Sequence, residues 1–362
     1  MAIENKSLIL TTRPEQLSLQ TAPIPFATPG SVIIHVLGTY ILPFNRAVFT
    51  NQLPYPLSLP IIPGNAYIAR VHAVGPDAVT LAPGQLVFGD ITISRRDDPD
   101  VQILQGLNGG FSLASMKLME GEWRNSTFAE YGKLPLEIVF PLDEELLLGK
   151  LGYSIPDLCW LPAYLVPFGG LADIDVKVGE MVIVAPAIGR FGGGAVTIAL
   201  AMGARVIACG RSKETLLKMA ETFQRTGRIE IVILSGDVEI DMKAMIGVYG
   251  VSGADVFIDF SPGVAKGSTH MTAAIGALRR GGRCCFMGGI IGPVEVDYGL
   301  IIWKNLRIQG RFIYEREHVV RLVKMLETST LKLGKAAGVE IEEALEVAEK
   351  HGKWGKQVVL MP

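Results

Sequence analysis

Residues 179–216, GEMVIVAPAIGRFGGGAVTIALAMGARVIACGRSKETL, constrain the fold more than any other part of the chain. The apolar run 181–185 enters Ala187-x-Gly189-x-x-Gly192. A small-residue helical stretch follows to Gly203, and a second apolar run occupies 205–209. A glycine turn is informative in this setting, with a strand before it, a helix after it and a second strand on time. The alternation continues about every 25 residues. Strand-like runs recur at 230–234, 255–260, 283–288 and 306–310, with helical stretches between them. Repeated βα units of this kind predict an α/β fold, a doubly wound parallel sheet covered by helices on both faces.

The chemistry of such a turn is dinucleotide binding. Gly189 lets the backbone approach a pyrophosphate. Arg190, Phe191 and Gly192 open the helix, whose free N–H groups and positive dipole end face the phosphates. Ala187 departs from the pattern, standing where the first glycine of G-x-G-x-x-G would be; alanine tolerates the turn while φ stays negative. An NAD site places an acid at the end of the second strand. Here that end reads Gly210-Arg211-Ser212. Arg211 can pair with a 2′-phosphate and Ser212 can add a hydrogen bond, which favours NADP(H). Ser212 is equally a good N-cap for the following helix. Other cofactor contacts are expected near strand ends, where open α/β sheets bind ligands. These are Val166 in the stretch Val166-Pro167-Phe168-Gly169-Gly170, Ser261-Pro262, and Gly288-Gly289 after Phe286-Met287.

Residues 1 to about 155 have a different texture, rich in Pro and Gly with short apolar runs: SVIIHVLGTYI, YIARVHAVG, QLVFGDITI and EIVFPL. They fit the strands of a mostly-β domain. After about 313 come two helical stretches, HVVRLVKMLETST and EEALEVAEKHG, and a closing strand, KQVVLMP. Residues 16–69 carry one formal charge, Arg46, but are cut by eight prolines and cannot form a spanning helix. The first ten residues do not read as a secretory signal. A net charge of −2 gives no footprint for nucleic acid and no polybasic membrane anchor. The four cysteines show no C-x-x-C spacing, so a reducing cytoplasmic setting is expected.

On these motifs, taken in order, the chain resembles the medium-chain dehydrogenase/reductase superfamily, in its zinc-independent quinone-reductase/enoyl-reductase-like branch. The segments carrying the likeness are PGSVIIHVLGTYILPFN, YPLSLPIIPGNAYIARVHAVGPDAVTLAPGQLVFGD, FAEYGKLPLE, LVPFGGL, 179–216 and RRGGRCCFMGG. The segment from DITISRRDDPD to NSTFAEYG is similar to fungal members, which suggests secondary metabolism. The resemblance implies a GroES-like catalytic domain (1–155 and 313–362), a Rossmann domain (156–312) and an active site in the cleft between them. It also implies a homodimer through an edge of the Rossmann sheet, for which VEVDYG and LRIQG at 294–310 are the candidates.

Many members of the superfamily hold a catalytic zinc. Its ligand positions fall here on Leu42, Asn65-Ala66 and Pro162, Asn45 replaces an Asp, and 90–125 carries no cysteine lobe. A catalytic zinc needs three Cys, His or carboxylate ligands, so no metal is expected. Without a metal, an activated C=C of a hydrophobic enone, enal or quinone is the expected hydride acceptor. Charge then spreads onto a remote oxygen that hydrogen bonds can hold. Tyr40, Asn45 and Asn65 are the catalytic candidates, with Tyr164 behind them; each is also a plausible buried polar group. None of His35, His72, His270, His318 or His351 suggests a role, and no Ser-His-Asp arrangement is supported by spacing. Arg95-Arg96 with Asp97-Asp98 reads as a solvated loop. The alternatives are metal-free carbonyl reduction or alcohol oxidation, and a non-redox lyase, isomerase or cyclase.

Overall fold

A computed structural model describes residues 4–14, 17–248, 253–339, 344–350, 354 and 358–361. The chain divides into two units, 1–162 with 333–352 and 356–362, and 163–332 with 353–355.

The first unit is built on β3 (Ser31–Tyr40), β4 (Tyr67–Val74), β5 (Leu86–Gly89), β8 (Tyr131–Pro135) and β9 (Val139–Pro141). β16 (Ala337–Val339) and β17 (Val358–Leu360) return to the same sheet, whose order is β16-β17-β3-β4-β5-β9 with β8 also on β3. Smaller antiparallel pairs are β1 (Glu4–Ile9) with β2 (Ser18–Pro23), and β6 (Thr92–Ser94) with β7 (Gln102–Leu104). β3 is buried on both faces over most of its length: Val32, Ile33, Ile34 and Val36 are sealed, and His35 is exposed. The expected run QLVFGDITI is broken in two. The Asp90 carboxylate accepts the Ile91 N–H at 2.7 Å and the Thr92 hydroxyl at 3.2 Å, which turns the chain between β5 and β6. Helices in this unit are short: α1 (Asn45–Phe49), α2 (Leu113–Glu120), α3 (Ile155–Leu158) and α11 (Ala344–Lys350).

The second unit is a six-stranded, all-parallel sheet. Its strands are β10 (Met181–Ala185), β11 (Arg205–Gly210), β12 (Ile229–Ile233), β13 (Ala254–Asp259), β14 (Leu278–Phe286) and β15 (Arg307–Gly310). The order β12-β11-β10-β13-β14-β15 reverses direction at β10, which is the doubly wound arrangement with its switch point beside the first strand. Helices α4 (Leu161–Asp173), α5 (Arg190–Ala201), α6 (Lys213–Phe223), α7 (Val238–Gly247), α8 (His270–Gly276), α9 (Tyr298–Lys304) and α10 (Arg316–Glu327) join or cover the strands. All five residues of β10 are buried, as a central parallel strand requires.

Both domain bounds and one strand differ from the sequence expectation. The first unit runs to 162, not 155. The chain leaves the second unit at 333, not 313. The reason is α10, which buries His318, Val319, Leu322 and Leu326. His318 meets the Phe168 ring of α4 edge-on at 5.8 Å, and Arg311 pairs with Asp173 at 3.0 Å. The VEVDYG stretch is not a strand either. Asp297 accepts the Leu300 N–H at 3.0 Å and starts α9 there, leaving β15 alone as the edge.

Candidate functional site

The parallel register assembles the first candidate site. Ala185 pairs with Asp259, Asp259 with Phe286, and Phe286 with Gly310. The turns that follow these strands therefore leave from one edge of the sheet. Gly189 is the N-cap of α5, with φ −82° and no side-chain cap. A methyl built on Gly189 would meet nothing within 4 Å, so the protein itself does not require glycine there. Gly192 does require it: a methyl would overlap the Pro186 carbonyl oxygen, because the helix is drawn tightly onto the end of β10. Ala187 is buried, and its N–H donates to the Cys209 carbonyl at 2.8 Å, tying the turn to β11. Arg190 is buried and Phe191 half-buried.

At the end of β11, Gly210 is buried against Ile188 and Arg211 is exposed. Ser212 caps α6, its hydroxyl accepting the Thr215 N–H at 3.4 Å and lying 2.9 Å from the Thr215 hydroxyl. The structural role weighed for Ser212 is thus present. The nearest following acid, Glu214, lies in the first turn of α6.

The VPFGG stretch is mostly packing. Phe168 is 1% exposed under His318 and Arg321. Gly169 abuts Ile313 and Tyr314, and Gly170 abuts Met287. Only Val166 is half-open there.

Ser261 is sealed and Pro262 exposed. The Ser261 hydroxyl donates to Asp259 Oδ1 and lies 2.8 Å from His270 Nε2. His270 Nδ1 lies 2.7 Å from the Ser268 hydroxyl. The structure therefore does bring together an Asp, a Ser and a His, which spacing did not reveal. It is not an acyl-transfer triad: the carboxylate orients the serine rather than the imidazole Nδ1, and the serine is inaccessible. Gly288 and Gly289 are exposed, and the Gly289 N–H donates to the Ser261 carbonyl at 2.7 Å.

The first unit holds the catalytic candidates. Tyr40, Asn45 and Asn65 are 2%, 0% and 1% exposed. The Leu42 N–H donates to Asn45 Oδ1 at 2.7 Å, and Asn65 Nδ2 donates to the same oxygen at 2.9 Å. A backbone N–H can only donate, so it fixes the orientation of both amides. Among the described residues, Asn45 Nδ2 and Asn65 Oδ1 have no hydrogen-bond partner. Thr127 braces Asn65, its hydroxyl donating to the Asn65 carbonyl at 2.8 Å. Tyr164, in the second unit, is buried.

This donor set does not fit zinc. Leu42, Ala66 and Pro162 offer no ligand atom, and the two amides are engaged with each other. Among the described residues no group of three or more His, Cys, Asp or Glu is placed to hold a metal ion. Cys159 is buried, and burial pushes its thiol well up, away from the thiolate a metal binds. Asp97 forms a two-point ion pair with Arg95, and Arg96 pairs with Glu137. His35 and His72 are exposed on strands beside Tyr131, and His351 lies outside the described residues. No helix of the described residues is long and apolar enough to cross a membrane.

Residues 191–328 match the family of zinc-binding dehydrogenases. An L-threonine 3-dehydrogenase of Anaeromyxobacter dehalogenans is 25% identical over 331 residues, 89% of this chain and 87% of the relative. Among solved structures, AibC superposes with a TM-score of 0.80 at 20% identity, over 100% of this chain and 97% of its own. A protein of Sinorhizobium meliloti 1021 described as a zinc-binding dehydrogenase, bound to NADP, gives 0.77 at 20% identity over 99% and 100%. The chain shares the fold of these proteins, a mostly-β unit and a unit built on a parallel sheet.

Proposed function

We propose that this chain is an NADP(H)-dependent oxidoreductase that works without zinc and reduces an activated C=C of a hydrophobic small molecule. The observation that carries the cofactor reading is Gly189. It caps α5 in an ordinary conformation with open space where a side chain would be, which leaves room for a pyrophosphate to approach the amides that open the helix. The pyrophosphate would lie on the amides that open α5, a 2′-phosphate on Arg211 and Ser212, and the nicotinamide end by Val166 and the Gly288-Gly289 backbone. When bound, the nicotinamide supplies a hydride.

For the oxygen that gains charge, Asn45 Nδ2 is the donor with neither hydrogen committed, and Asn65 Oδ1 is the open acceptor beside it. Asn65 Nδ2 is committed to Asn45 Oδ1 and so orients Asn45. Both are sealed, so substrate entry must part the wall around them. Tyr40 is the candidate to return a proton.

The test uses NADPH deuterated at nicotinamide C4, as either stereoisomer, with a panel of enones, enals and quinones. Deuterium at the β-carbon supports the reading. Deuterium on a carbinol carbon supports carbonyl chemistry instead, a second reading favoured by the length of the match to L-threonine 3-dehydrogenase. Asn45→Ala should lower turnover by about 10²-fold if its amide holds the developing charge. We also propose a homodimer through β15, whose Arg307, Gln309 and Gly310 are exposed on the sheet edge near Ile302 and Trp303 of α9.

A further inference from the structure

We propose that His270 is a positioning residue for the cofactor. Through Ser261 it holds the Gly288-Gly289 backbone in the shape that receives the nicotinamide end. The inference rests on the dinucleotide reading above. Its basis is a continuous polar chain buried at the ends of β13 and β14. Asp259 is 2%, Ser261 1% and His270 4% exposed.

The direction of every bond follows from one end. A carboxylate only accepts, so the Ser261 hydroxyl hydrogen goes to Asp259 Oδ1. Ser261 Oγ must then accept from His270 Nε2, 2.8 Å away, which places the imidazole hydrogen on Nε2. His270 Nδ1 is left as an acceptor, and the exposed Ser268 hydroxyl donates to it at 2.7 Å. Every polar atom of the imidazole is satisfied. His270 Nε2 also lies 3.4 Å from Asp259 Oδ1, which closes the cluster.

What this chain holds is the exit of two adjacent strands. The Met287 N–H donates to the Asp259 carbonyl at 3.1 Å, and the Gly289 N–H to the Ser261 carbonyl at 2.7 Å. The Ser261 N–H turns back to Asp259 Oδ2 at 3.2 Å. Gly288 crosses so closely that a methyl on it would sit 2.6 Å from Asp259 Oδ2 and 2.7 Å from the Ser261 carbonyl oxygen. The exposed glycine pair is thus pinned from below by Ser261, and Ser261 is pinned by Asp259 and His270. Removing the imidazole N–H leaves the Ser261 hydroxyl its bond to Asp259 but takes away the donor to its oxygen in a buried place. Apart from the imidazole, α8 is anchored by Met271, Ala273, Ala274 and Ile275 in the core.

The experiment compares the wild type with His270→Phe, His270→Gln and Ser261→Ala. NADPH is titrated into each, melting temperature is recorded, and exchange of the Gly289 amide hydrogen is followed without cofactor. Expected for His270→Phe and Ser261→Ala are an NADPH Kd raised about tenfold, a faster-exchanging Gly289 amide, and unchanged exchange within α5. His270→Gln keeps an N–H for Ser261 and stays within about threefold of wild type. In turnover, the cofactor KM rises while kcat holds. If His270→Phe fails to fold, Ser261→Ala decides, since it cuts the same link without touching α8. A wild type that binds NADPH, with variants that bind it equally well, overturns this inference alone. A wild type that binds neither NADPH nor NADH overturns the functional reading and this inference with it.

Discussion

Two buried polar clusters, one in each unit, are completed in opposite ways. At the ends of β13 and β14, the Asp259, Ser261 and His270 side chains are satisfied by one another and by Ser268, and the surface they support is the bare backbone of Gly288 and Gly289. In the β-rich unit, the Asn45–Asn65 pair is sealed, yet each amide keeps one atom without a partner. A buried polar atom left unpaired costs roughly 1–3 kcal/mol. The second cluster keeps the Asn45 Nδ2 and Asn65 Oδ1 atoms unpartnered among the described residues. The proposed cofactor surface and the proposed reactive pair therefore differ in kind: open space at Gly189 in one, unpartnered amide atoms in the other.

The largest effect should come from filling the spare space. Gly189→Glu fits the protein, since its backbone is ordinary and its surroundings open. Its melting temperature should match wild type while NADPH affinity falls about 100-fold, from lost approach and added negative charge. A melting temperature that collapses would mean that Gly189 is needed for packing. Next comes assembly: light scattering at micromolar protein should give twice the chain mass of 39.1 kDa, and a single-chain mass would remove the role given to β15.

A smaller effect lies in His318, which burial holds below its ordinary pKa of 6.5. The unfolded chain then binds the proton first, so this contribution is complete above about pH 6.5 and is lost as pH falls. Between pH 7.5 and 5.5 the melting temperature of wild type should drop by roughly a few degrees more than that of His318→Gln. Equal slopes would show that His318 does not titrate on unfolding. No effect at all is expected from chelators: activity and melting temperature should be unchanged and metal analysis should find no stoichiometric zinc. One zinc per chain would break the contrast between the two regions.

Much of the parallel sheet was legible because such strands are buried on both faces and read as unbroken apolar runs. MVIVA is the clearest, with all five residues buried. The glycine turn was legible for the same reason, being framed by two such runs. Alternation misled at VEVDYG, where a capping aspartate outweighed β propensity, and at QLVFGDITI, where Asp90 turned the chain. The Asn45–Asn65 pairing and the Asp259–Ser261–His270 chain were out of reach. Each depends on loops folding back over 20 or 11 residues, and no periodicity encodes that. The residue types were visible in the sequence, but the direction of their hydrogen bonds comes only from the backbone groups that orient them.

The measurement that bears most directly on the central claim is titration of NADPH and NADH into the wild-type protein and Arg211→Ala, followed by intrinsic fluorescence. An exposed Arg211 in place of a ribose-binding acid predicts one dinucleotide per chain. NADPH should be preferred over NADH by at least about tenfold, the scale of one charged hydrogen bond, and Arg211→Ala should lose that preference. Binding of neither dinucleotide would contradict the assignment of the sheet edge as a cofactor site, and equal affinities would contradict the part given to Arg211.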